Sequence, residues 1–512
     1  MLSFILRRIL VSILVLVAAS FIMYTLVALS KDPLSELYAS SAPNKDQLIA
    51  QRTEWLNLDM PIPVRWAVWF GGAAGCLVPF TELCNLGVTL TNQPVVDLLP
   101  RAIGSTVQLV TGATILAIIL GIGIGIVSAL RQYSAVDYTF TFLSFFLYSL
   151  PSFLVAVLLK EFLAIGFNDF LRDPLIATPV IIVLSLVAAI LWQAIIGGRR
   201  RRRLITFGTS AIATAIMLWY MSETDWFRNP GLGPVVVPVL IIGVSLGLAL
   251  LIAGPRNRRA LITSGIVAVL GIISYFSLQG LFNISSMQTL IILGIAALAV
   301  GILAGILVGG HDRSLSARIG GIAAVISGGI ILLDRFMQSW NSYLNLGQIN
   351  NRPIATIGSA TPNLGGDVWI QGLDNFTHFL LPTVALLLIS FAGYSRYSRA
   401  GMLEVLNQDY IRTARAKGLP ERTVIVRHAL RNALIPLATL VAADIGALLG
   451  GAIITERIFA ISGMGTLFNQ GLVAVDPNPV MAYFVVIAIT AILFNFLADL
   501  AYSALDPRVR VR

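Results

Sequence analysis

The residues best suited to chemistry or docking are six cations, Arg412, Arg415, Lys417, Arg422, Arg427 and Arg431, crowded into the stretch DYIRTARAKGLPERTVIVRHALRNALIP at 409–436. Cations at that density either hold a segment against anionic lipid, at about 1 kcal/mol each, or present a face to another protein. A second candidate is Asp444, the one acid in an otherwise uncharged run at 432–455. Burying a carboxylate in lipid costs about 2.5–3.5 kcal/mol. Asp444 therefore has two readings: it faces a water-filled path and meets a cationic group of a solute, or it pairs with a neighbouring helix. Cys76 and Cys84 lie close together in a loop. A disulfide closing a small hairpin in an oxidising space is the expectation, with two unrelated thiols as the alternative.

Other chemistry is missing. None of the four lysines, Lys31, Lys45, Lys160 and Lys417, ends a G-x-x-x-x-G-K-[ST] loop, so no nucleotide site is visible. His311, His378 and His428 are scattered, and no spacing suggests a metal site. The run GIGIGI at 121–126 sits inside an apolar stretch and reads as close helix packing through small residues.

The elements that carry these residues follow from composition. The chain has 512 residues, 57% hydrophobic and 12% charged, with a mean hydropathy of +0.85. It is an all-α integral membrane protein, because an open sheet leaves backbone groups unpaired in lipid and no alternating barrel pattern is present. Uncharged runs long enough to cross fall at 9–30, 102–130, 138–159, 174–198, 204–222, 229–255, 375–395, 432–455 and 477–498. The run 260–311 divides at LQGLFNISSMQ into two crossings, and 319–333 is a short, Gly-rich further one. The sum is about twelve spans. Most of the Lys and Arg then fall on the side of both chain termini, which makes that side cytoplasmic. The first span is expected to be retained, since no small-residue cleavage site precedes SKDPLSELY. Lys160 and Glu161 are expected to snorkel to the outer interface.

Within the basic stretch, Leu403, Leu406, Tyr410 and Ala414 draw one apolar stripe on a helix. Gly418 ends it, Pro420 blocks its continuation, and a second helix is expected from Glu421 with Val426, Leu430 and Ala433 buried. Lipid does not require the small residues Ala414, Ala416 and Gly418. They allow close approach to another protein.

DYIRTARAKGL followed by RHALRNALIPL resembles the cytoplasmic EAA loop of permease subunits of bacterial dipeptide, oligopeptide and nickel ABC importers. MLSFILRRIL, TELCNLGVTLTNQPVVDLLPRAIGSTVQL, YSLPSFLVAVLL, HFLLPTVAL, GGAIITERIFAISGMGTLF and DLAYSALDPRVR resemble other parts of that family. Arg412, Thr413 and Ala414 stand where the general pattern has Glu-Ala-Ala, and Pro436 lies further from Gly418 than in that pattern. The segment at about 167–373 is foreign to the common six-span family member.

The resemblance implies an ABC importer type I permease fold of about six family helices plus about six inserted ones. It divides the chain into an N-terminal permease part at 1–166, with an outer loop at 31–101, an inserted membrane segment at 167–373, and a C-terminal permease part at 374–512. The coupling loop is 396–431. Arg412, Thr413, Ala414, Arg415, Ala416, Lys417, Gly418 and Leu419 would dock on an ATPase, with Glu404, Asp409 and Tyr410 supporting them and Asp444 a pathway residue. The chain itself would be a transport subunit, not an enzyme, and would bind no cofactor; ATP and Mg would sit on partner subunits. The implied partners are a second related permease in a heterodimer, two ATPase subunits, an extracytoplasmic solute-binding protein and the bilayer, with no nucleic acid. The implied location is the bacterial plasma membrane, multi-pass, with both termini cytoplasmic. The solute would be a di- or oligopeptide or a similar small solute.

The rival is a proton- or ion-coupled secondary carrier with twelve spans. Such a carrier is expected to show internal duplication and several intramembrane acids, and the sequence shows no repeat and one such acid. A membrane enzyme would need clustered catalytic side chains in its loops.

Overall fold

The computed structural model describes residues 2–76 and 83–505, and among them it is helical with no strand. In chain order the first helices are α1 (Leu2–Ser30), α2 (Ser35–Tyr38), α3 (Lys45–Trp55), α4 (Ile62–Gly75), α5 (Val95–Leu130), α6 (Ala135–Ser149) and α7 (Ser152–Leu158). A π-helical turn at Leu159–Ile165 leads to α8 (Gly166–Phe170). Then come α9 (Thr178–Ile196), α10 (Arg200–Glu223), α11 (Gly233–Ile252), α12 (Arg258–Ser277), α13 (Gln279–Phe282), α14 (Met287–Gly309) and α15 (Arg313–Leu344). The last set is α16 (Val368–Leu406), α17 (Asp409–Ala416), α18 (Glu421–Thr423), a π-helical turn at Val424–Ala429, α19 (Leu430–Gly451), α20 (Ile453–Ile458), α21 (Met464–Ala474) and α22 (Pro477–Leu505).

Among the described residues nine helical stretches are long and apolar enough to cross a membrane, or ten if the bent pair α6 and α7–α8, at 104°, is one span. One of the nine, Met287–Leu344, holds both α14 and α15. The chain forms two compact units. One comprises Met1–Leu163, Thr356–Ser359 and Phe379–Arg512; the other comprises Ala164–Ala355 and Ala360–His378.

In the first unit α5 and α16 pack at backbone distance. A Cβ on Gly121 would lie 2.7 Å from the Tyr394 Cβ, and one on Gly125 would lie 2.7 Å from the Ser395 carbonyl oxygen. Only glycine permits that approach. Gly123, between them, faces open space, so the packing expected of GIGIGI uses alternate glycines one helical turn apart. A separate apolar cluster joins Tyr24, Trp69, Leu86, Val95 and Leu99 to Met464, Met481 and Tyr483. Cys76 and Cys84 are joined in a disulfide at the end of α4.

In the second unit α14 and α15 form a tight antiparallel hairpin, with Gly301 against Gly320 and Gly305 against Ala317. Ser286 caps α14 by accepting from the Thr289 amide, which places the turn where the sequence breaks. Asp334 of α15 is fully buried. It accepts from the Leu232 and Gly233 amides at 2.7 and 3.1 Å, the Tyr275 hydroxyl at 2.9 Å and Gln338 at 2.7 Å. Four donors on one carboxylate offset the cost of its burial and tie α11, α12 and α15 together. This buried acid was not singled out in the sequence, where it stands just past an apolar run.

Candidate functional site

The basic loop begins where α16 stops. The Gln408 backbone is extended, so the helix breaks at Asn407 and Gln408 and restarts as α17. The stripe expected through Leu403, Leu406, Tyr410 and Ala414 therefore does not form. Tyr410 is exposed and its hydroxyl accepts from Asn432 at 2.8 Å, while Met402, Ile411 and Ala414 are the buried residues. They pack with Ala129, Val424, Ala429 and Ala433 in one apolar cluster. A second correction concerns Val426, which is 55% exposed. The π turn adds a residue to that coil, rotating Val424 and Ala429 inward in its place.

The end of α17 is built from two hydrogen bonds. The Gly418 amide donates to the Arg415 carbonyl at 2.9 Å and the Leu419 amide to the Ala414 carbonyl at 3.4 Å. This pair is the Schellman pattern, which needs a left-handed residue after the last helical turn. Gly418 supplies it, with φ of +73°. Beyond the turn, Arg415 holds Glu421 through two contacts of 2.6 and 3.2 Å, and this pairing holds the Glu421 carboxyl below its usual range. Asp409 sits 3.5 Å from Arg412.

Ala414 faces inward, so Ala414, Ala416 and Gly418 do not share one face. Arg412, Thr413, Arg415, Ala416, Lys417, Gly418 and Leu419 form the exposed surface, and Glu404 and Asp409 are also exposed. What α17 offers a partner is thus a short basic ridge with Ala416 and Leu419 in it, resting on a packed apolar base.

Asp444 is half-buried on α19 and interacts electrostatically with the buried Tyr394 hydroxyl of α16, without a full hydrogen bond to it. The Lys160 Nζ donates to the Ile458 carbonyl at 2.9 Å. Glu161 is exposed.

Two further buried carboxylates were not singled out in the sequence either. Asp137, at the start of α6, takes a forked pair of bonds from Arg399 at 2.8 and 3.1 Å, one from the Tyr133 amide at 3.1 Å and one from Ser128. This fastens the turn between α5 and α6 to the end of α16 that feeds the basic loop. Glu456 of α20 is fully buried and accepts from Thr106 at 2.6 Å and the Thr466 amide at 3.0 Å. Gly463 leaves room for it, since a Cβ there would lie 2.4 Å from the Glu456 carboxyl carbon.

No group of three or more metal-ligating side chains occurs among the described residues. The described residues thus form a polytopic helical protein, with many helices long and apolar enough to cross a membrane and an exposed basic elbow between α16 and α19.

Over part of its length the chain is similar to known proteins. Residues 341–511, a third of the chain, match the family model of the binding-protein-dependent transport system inner membrane component. It is 46% identical over 154 residues to the oligopeptide transport system permease protein OppB of Mycobacterium tuberculosis (strain ATCC 25618 / H37Rv), covering 30% of this chain and 47% of the relative. It is 43% identical over 136 residues to AppB of Bacillus subtilis (strain 168), another oligopeptide transport system permease protein, at 27% and 43% coverage. It is 44% identical over 138 residues to the dipeptide transport system permease protein DppB of Escherichia coli (strain K12), at 27% and 41% coverage. The chain spans about half the length of the curated relatives it matches or somewhat less.

Proposed function

We propose that this chain is the transmembrane permease subunit of an ATP-driven importer of peptides. The observation that carries the reading is the coincidence of the family match at 341–511 with the exposed α17 ridge inside it, set on a buried base of Ile411, Ala414 and Ala429. A helix anchored on one side and bare on the other transmits a push from a docked partner into α16 and α19. Matches to peptide permeases favour this over an ion-coupled carrier.

In this reading the termini and the basic loop are cytoplasmic, in the plasma membrane. Two ATPase subunits close on ATP and Mg, Arg412 to Leu419 receive that motion, and a path between this chain and a second permease opens to solute from an external binding protein. The segment at 167–373 is an insertion into the permease frame. Its apolar composition suits a peripheral packing or partner-binding bundle. Asp444, beside Tyr394, lies on the solute path.

Co-expression with candidate ATPase subunits tests the proposal. A stable complex whose uptake requires ATP upholds it, and uptake by this chain alone in proteoliposomes overturns it.

A further inference from the structure

In the first unit, α5, α6 and α16 line an open cavity of about 340 Å³, bordered by Ser128, Thr141, Ser144, Phe145, Tyr148 and Arg396 among others, with Phe145, Tyr148 and Arg396 exposed at its mouth. This is at the small end of ligand pockets, roughly 300–1,000 Å³, with room for one terminal residue of a longer molecule.

Two guanidinium groups border it, and they are not equivalent. The Arg399 charge is consumed by Asp137. Arg396 has no carboxylate within ion-pair range among the described residues. Its guanidinium stands 4.8 Å from the centre of the Phe145 ring and 4.6 Å from that of Tyr148. Ring faces position a guanidinium through its charge and leave the N–H donors unused. On the same wall Ser144 is 1% exposed, and its Oγ is one of several buried hydroxyls without a hydrogen-bond partner among the described residues. An oriented, uncompensated cation and an orphaned buried hydroxyl at one cavity fit an incoming anion.

We infer that this cavity is a subsite for the terminal carboxylate of the solute, held by Arg396 in a forked contact and by Ser144, with Phe145 and Tyr148 against the last side chain. A lipid chain suits the site poorly, since polar groups within a span face a water-filled cavity or the bundle interior. A cation suits it worse, because Asp137, the acid at its edge, is already fully engaged. The inference rests on the importer reading above and narrows the solute to one with a free carboxyl terminus.

The test uses the complete transporter in phosphatidylcholine proteoliposomes, with trialanine and trialanine amide as probes. The native complex is expected to favour the acid over the amide by at least about tenfold in kcat/KM, the worth of one charge-assisted hydrogen bond. Arg396→Gln should erase that preference by slowing acid uptake alone, Arg396→Lys should restore part of it, and Ser144→Ala should reduce it less. Equal loss for both probes in Arg396→Gln, or no change, overturns the assignment. If the native complex takes up neither probe, the peptide-importer reading fails, and the subsite is judged by saturation-transfer NMR on the purified full chain. Acid-selective binding that Arg396→Gln abolishes upholds it; equal binding of acid and amide, or a phospholipid retained by the native chain and lost in Arg396→Gln, overturns it.

Discussion

Thr106 of α5 donates a 2.6 Å hydrogen bond to Glu456 of α20, and the Met464 amide donates to the same Thr106 hydroxyl at 2.8 Å. One carboxylate thus joins a spanning helix to the short helices α20 and α21. Removing it with Glu456→Ala strands the Thr106 hydroxyl and the Thr466 amide, each at about 1–3 kcal/mol. The expected result is a melting temperature several degrees lower for the full chain in detergent, with Glu456→Gln losing less because it keeps the shape and one acceptor. Gly463→Ala should match Glu456→Ala, since its Cβ would lie 2.4 Å from the Glu456 carboxyl carbon. Unchanged melting in Gly463→Ala would count against this tie.

The Arg399–Asp137 fork is a second tie with a different signature. Asp137 is almost fully buried while Arg399 is about one-third exposed. Losing the cation leaves a buried charge unpaired, and losing the acid leaves a cation that can turn toward water. Arg399→Gln is therefore expected to destabilise more than Asp137→Asn. The double variant should recover part of the loss, with a coupling of roughly 0.5–3 kcal/mol. Strictly additive denaturation midpoints would show that the two residues do not act as a pair.

A pH-dependent attachment sits at the start of α22. Asp476 accepts from the Leu90 amide at 2.8 Å, and Asn478 donates to the Val88 carbonyl at 2.7 Å, which holds the 85–94 segment in place. Burial pushes the Asp476 carboxyl from 3.8 up to about 6, against the opposing pull of the Leu90 and Asn478 amides and Arg52. A carboxyl raised by folding binds its proton more tightly in the folded chain, so its contribution is complete below 3.8 and is lost as pH rises through about 6. Native protein should melt at a lower temperature at about pH 7 than at about pH 5. Asp476→Asn should flatten that part of the profile, and parallel profiles would refute the assignment.

How much of this was readable in the sequence depended on distance along the chain. Gly418 with Pro420, the alternate glycines of 121–126 and the cysteines eight residues apart announce local geometry, because a turn, a close helix approach and a small covalent loop each leave a nearby mark. Tyr410 and Val426 were placed on the wrong faces for an equally local reason: periodicity presumes an unbroken α-helix, and the chain breaks at Gln408 and adds a π turn at Val424. Asp137 with Arg399 and Glu456 with Thr106 carried no local mark of their partners, since each pair is formed by packing between helices far apart in the sequence. Asp334 was hidden because three of its four donors come from other segments of the bundle.

Gly418 is where local backbone geometry meets the proposed coupling. No atom lies within 4 Å of the place a Cβ would occupy, so crowding inside the chain is not the constraint. The constraint is φ of +73°, which costs an ordinary L-residue about 1–2 kcal/mol and a β-branched one more. Asn tolerates this conformation better than most. Gly418→Asn should therefore retain ATP-dependent uptake, and Gly418→Ala should retain most of it. Gly418→Val should open the Schellman turn, release the Leu419 and Gly418 amides, and shift Arg415 away from Glu421. Uptake by the complete transporter is then expected to fall at least about tenfold, with ATP hydrolysis and membrane insertion preserved. Equal uptake by the Asn and Val variants would separate the turn from coupling; equal loss in both would point to the bare glycine surface, rather than its backbone angle, as what the partner contacts.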